Sequence, residues 1–81
     1  MPKIRRQNVP PYLLNHLRNR ARERQIPFED LILFANWLAE NPEVPEGKWF
    51  KQFSGMIVCG EGEWVKTFLL PNQLPDGEKV P

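Results

Sequence analysis

The chain has 81 residues, of which 41% are hydrophobic, 26% charged and 11% aromatic. That length and composition allow one globular domain and exclude collagen-like, low-complexity and fully disordered classes. One Cys excludes an intramolecular disulfide scaffold, one Cys with one His cannot make a structural zinc site, and the longest apolar run, residues 31–35, is far short of the roughly 20 residues of a membrane helix.

No metal, cofactor or membrane is therefore expected. No charged-then-apolar leader opens the chain, so the expected location is cytoplasmic. The net charge of +1 conceals an asymmetry. Residues 1–24 carry seven cations against Glu23, net +6, and the remaining residues carry four lysines against nine carboxylates, net −5. Charge divided between two parts of a chain points to an anionic partner, whereas an even mixture does not.

Residues 1–9 read as a flexible basic arm containing Lys3, Arg5 and Arg6, with a short edge strand as the alternative for residues 1–4. Pro10-Pro11 suits a helix start, because proline's missing N–H has no intrahelical partner in the first turn. A helix follows from Tyr12 to about Gln25, with Leu13, Leu14, Leu17 and Ala21 in one apolar sector. Arg18 and Arg22 fall on one flank of that sector; Arg20 falls with His16 on the other. Pro27 interrupts, and a second helix runs from about Pro27 to Glu40, ended by Asn41-Pro42. It is apolar almost all round, with a polar stripe of Glu29, Asn36 and Glu40. Such a helix is buried on several sides, or part of its face is an oligomer interface.

After the loop 42–47 the pattern becomes strand-like: residues 48–53, 56–59 and 64–70, joined by the turn signals Ser54-Gly55 and 60–63. The expected fold is α+β: a basic N-terminal arm and two α-helices packed on a three-stranded antiparallel β-meander. The domain spans residues 10–70, and residues 71–81 read as a Pro-rich tail.

Lys48, Lys51 and Lys66 are interleaved with Trp49, Phe50, Phe53, Trp64 and Phe68. On a sheet, such rings stack on bases while lysines meet phosphates; the alternative is that the rings form the core. Lys3, Arg5, Arg6, Arg18, Arg20 and Arg22 add an arm and a helix able to neutralise further phosphates. His16 and Arg20, spaced i,i+4, are a candidate base–cation pair for RNA cleavage or an ordinary exposed helical pair. Cys59 has no base near it in sequence and reads as a small buried thiol. Gly60-Glu61-Gly62-Glu63 reads as a hairpin turn, since its carboxylates repel phosphate.

The helix–helix–meander order over residues 10–70 resembles the RelE/ParE-type toxins of bacteria. That resemblance implies a ribosome-dependent mRNA endonuclease or a gyrase-targeting toxin within a toxin–antitoxin pair. It is one of element order; the family's first strand before the first helix is missing, and no site residues follow from it. The leading expectation is a non-catalytic nucleic-acid-binding protein, favouring RNA or single strands, through Lys3, Arg5, Arg6, Arg18, Arg20, Arg22, Lys48, Lys51 and Lys66. The alternative is a protein–protein interaction module, with a protein partner or homodimer on helix 27–40. The third is the toxin-like endoribonuclease.

Overall fold

The structure is a computed structural model that describes residues 2–81, with Arg6 described by its backbone alone. Two helices, α1 (Pro11–Arg22) and α2 (Phe28–Ala39), precede strands β1 (Lys48–Gln52), β2 (Ile57–Glu61), β3 (Trp64–Leu69) and β4 (Glu78–Val80). The fold is α+β, with the expected antiparallel meander β1–β2–β3 at its centre.

Both helices start behind prolines in extended conformation, Pro10 and Pro27. Both end at a residue with left-handed backbone, Arg24 (φ 63°) and Asn41 (φ 49°). The end of α1 comes earlier than the expected Gln25. The Gln25 N–H donates to the Arg20 carbonyl and the Arg24 N–H to the Ala21 carbonyl, which caps the last turn. Glycine is the usual residue at that position; here an arginine holds it, so nothing in the sequence marked the stop.

The sheet has order β3-β2-β1-β4 and is mixed. The expected tail therefore needs correction, because β4 pairs in parallel with β1 and buries Val80. The connection from β3 to β4 crosses the sheet on the side away from the helices. There Leu74 and Asp76 share a hollow of about 400 Å³ with Cys59, Thr67 and Leu69. The first residues are also docked rather than loose. Ile4 is fully buried, Val9 nearly so, and the Ile4 N–H donates to the Pro42 carbonyl while the Val44 N–H donates to the Pro2 carbonyl. Within this segment Lys3 makes an isolated antiparallel bridge with Glu43.

A β-bulge decides which sheet face meets the helices. Cys59 pairs with Thr67 but Gly60 pairs with Val65, so Lys66 is the extra residue. Strict alternation would have set Trp64, Lys66 and Phe68 on one face. The bulge instead puts Val65 and Phe68 on the inner face with Trp49 and Val58, and these pack into the core. Trp49 packs tilted against Trp37 of α2, with ring centroids 5.8 Å apart, and its Nε1–H donates to the Gly62 carbonyl at 2.9 Å. Its ring lies over Gly60, where a Cβ would come within 2.2 Å of the indole. Any larger residue at 60 would displace the central tryptophan.

Candidate functional site

The inner side of α2 is set by the spacing Asp30, Phe34, Trp37, Leu38, all buried. Phe34 stacks on Trp37 and meets Phe53 edge-on. Asp30, on the same side, is fully buried. Its carboxylate accepts the Ser54 hydroxyl at 2.8 Å and the Gly55 N–H at 2.6 Å, which ties the β1–β2 turn to the start of α2. A carboxylate in the first turn of a helix ordinarily serves the helix dipole at the surface. The phase of Asp30 with Phe34 and Trp37, at i+4 and i+7, was the available sign of burial.

Among the described residues nothing covers the outer side of α2. Phe28 is 65% exposed and Ile32 49%, and Ala35 and Ala39 continue the same line. Half-buried Leu31 borders it. Toward α1 this stripe falls into an apolar groove of about 450 Å³, floored by Leu17, Phe34 and Leu38 and walled by Leu14 and Leu31. Arg18 stands on its α1 rim, and Arg22 lies one turn further along the same exposed flank. On the opposite flank of the stripe are exposed Glu29, Asn36 and Glu40. The expectation that α2 is enclosed on several sides is therefore corrected: α1 and the sheet cover one side of it. The first helix is too narrow in apolar surface to cover both.

The expected nucleic-acid contacts are dispersed. Lys3 and Arg5 are exposed beside the Pro42–Glu43 backbone, and the Arg6 side chain lies outside the described residues. Arg20 is half-buried and held along the helix surface, donating from Nε to His16 Nε2 at 3.2 Å and from its guanidinium to Gln25 Oε1. Lys48 pairs with Asp76 at 3.8 Å, both well exposed. Lys51 lies over the Phe53 ring at 5.8 Å, and Lys66 is exposed at the bulge. Of the interleaved rings, Trp49 and Phe53 are in the core, and Phe68 packs against it and meets His16 edge-on. Trp64 stays open at 47%, and Phe50 is half-buried on the outer sheet face.

His16 and Arg20 do come together as their spacing requires. The Arg20 N–H, however, occupies the imidazole nitrogen that a general base would use. Cys59 is half-buried on the outer sheet face; burial, and then the nearby Asp76 charge, push its thiol above the usual value, which disfavours a nucleophilic thiolate. Among the described residues no cluster of His, Cys, Asp and Glu is placed to hold a metal ion, and no helix is long and apolar enough to cross a membrane.

Compared with known protein families, curated proteins and solved structures, the chain matches none. The likeness to RelE/ParE toxins thus stays one of element order, and the fourth strand of this sheet lies after the meander rather than before α1.

Proposed function

We propose that this is a cytoplasmic, non-catalytic protein-interaction module that takes the apolar face of a protein helix onto the outer stripe of α2 and the adjoining groove. The observation that carries this reading is the line Phe28, Ile32, Ala35, Ala39, open to solvent beside an apolar groove. Apolar surface of this kind, rimmed by charge, marks interaction sites in soluble domains. Helix-in-groove recognition uses anchors at this spacing.

The test uses anilinonaphthalene sulfonate, an apolar anion suited to a groove with an arginine rim. Dilute native protein enhances its fluorescence, and Ile32→Glu abolishes the enhancement while circular dichroism stays unchanged. Monomeric native protein that leaves the dye dark would retire the reading.

Nucleic-acid binding is a second reading, favoured by one observation. Among the described residues Arg18 and Arg22 have no carboxylate within ion-pair distance. If they meet phosphates, anisotropy of labelled single-stranded RNA falls steeply between about 50 and about 200 mM salt. Arg18→Ala with Arg22→Ala then flattens the salt slope by about one unit per lost contact. Absence of binding at the lower salt counts against it.

A further inference from the structure

The docking reading leaves the occupant open. Resting on that reading, we propose that the occupant is a second copy of this chain, packed α2 against α2 about a two-fold axis running along the helix.

Two observations select the second copy. The first is spacing. Phe28, Ile32, Ala35 and Ala39 follow one another at intervals of four, three and four, so the stripe suits pairing with another helix, and α2 itself carries the anchor spacing such a partner needs. The stripe also tapers from large to small, from Phe28 and Ile32 to two alanines, so two α2 helices can approach closely at that end.

The second is charge. Helix α1 holds Arg18, Arg20 and Arg22 and no carboxylate. Residues 25–47 hold Glu29, Asp30, Glu40, Glu43 and Glu46 and no cation. The stripe therefore has a basic flank, Arg18 and Arg22, and on its other side the exposed carboxylates Glu29 and Glu40, with Leu33 and Asn36 between them and Lys51 and Lys79 sharing a hollow with Glu40 on the sheet side. Among the described residues none of Arg18, Arg22, Glu29 and Glu40 is in an ion pair; the pair present is Lys48–Asp76. A helix complementary to the basic flank must be apolar, acidic and free of cations, and α2 itself is such a helix.

Symmetry then fixes the orientation. A two-fold axis across α2 sets acidic flank against acidic flank and basic against basic. An axis along α2 sets the acidic flank of each copy against the basic flank of the other, twice per dimer. Only the second arrangement is attractive, since like charges juxtaposed at an interface are strongly disfavoured. It is an isologous contact, so it closes at two copies. Each stripe residue then faces its own counterpart.

Sedimentation equilibrium of the full chain tests this from about 10 to about 500 µM, a range that captures even weak association. The native protein is expected at about twice its 9.5 kDa mass. Arg18→Glu with Arg22→Glu, and separately Glu29→Lys with Glu40→Lys, each weaken self-association by about 30-fold or more. An equimolar mixture of the two variants restores it to within about tenfold of the native protein. In a Cys59→Ser background, Ala39→Cys alone gives a disulfide-linked dimer under mild oxidant, because each residue 39 meets its counterpart. A native protein that stays monomeric, a mixture that fails to recover, or a crosslink that forms only when Phe28→Cys and Ala39→Cys chains are mixed overturns the proposal. A monomer that still lights the naphthalene dye, and loses it on Ile32→Glu, overturns the second copy alone and keeps the docking face. A monomer that leaves the dye dark overturns both.

Discussion

The two sides of α2 are built from the same kinds of residue and meet opposite fates. Phe34, Trp37 and Leu38 on one side are buried against Trp49, Phe53 and α1, and Asp30 among them is held by the β1–β2 turn. Phe28, Ile32 and Ala35 on the other are open. Hydrophobicity alone therefore does not determine burial in so small a domain. What determines it is the apolar width available opposite. Helix α1 spends Leu13 and Leu17 on the core and then turns cationic at Arg18 and Arg22, so it cannot reach round the helix it packs against.

The contrast is broken most directly on the inner side. Trp37→Ala removes a ring stacked on Phe34 and tilted against Trp49, and leaves a cavity in the core. The expected loss is about 3–5 kcal/mol, which is a large share of the stability of a domain this size. Urea titration followed by tryptophan fluorescence and circular dichroism measures it. A loss below about 1 kcal/mol would mean that the inner side is not the core.

Asp30 is next in size. Asp30→Ala removes the acceptor that holds both the Ser54 hydroxyl and the Gly55 N–H, and so unties the β1–β2 turn from α2. The expected cost is about 2–3 kcal/mol, as for hydrogen bonds to a charged group. Pairing it with Ser54→Ala in a double-mutant cycle separates the contacts. The two losses should fall short of additive, and strict additivity would show that the carboxylate does not hold the turn.

The inner side was more legible in the sequence than the outer. Prolines at 10, 27 and 42, and the change from helical to alternating spacing near residue 48, marked both helices and the meander. Three features escaped because each depends on a distant partner or on a residue that breaks local habit. The bulge at Lys66 inverts the face of half a strand, and Gly60, which sits in β2 at the register shift, reads in sequence as part of the turn rather than as a strand residue opposite a bulge. Strand β4 is three residues long among prolines, and only its parallel pairing with β1 makes it a strand. Ile4 and Val9 sit among cations that suggest a solvated arm, yet the pair is buried beneath α2 and the loop at Pro42. The candidate site was half legible. An almost wholly apolar α2 signalled a surplus of apolar surface, and the clustering of arginines signalled an uncompensated charge. That the two lie side by side, along one groove, required the packing of α1 on α2.

The smallest effect is the most informative about the outer side. Ile32→Ser removes apolar surface that is already half in water, so on the isolated chain it should change stability by no more than about 0.5 kcal/mol in either direction. Concentration separates the isolated chain from an assembled one. If α2 pairs with α2, the unfolding midpoint of the native protein rises with protein concentration, because association stabilises only the folded state. The Ile32→Ser midpoint should stay fixed over the same range, and the two proteins should coincide at high dilution. Thermal melts across about a hundredfold range of concentration read both limits. Two midpoints that rise together would move the association elsewhere on the surface, whereas a gap persisting at high dilution would mean that Ile32 belongs to the core after all.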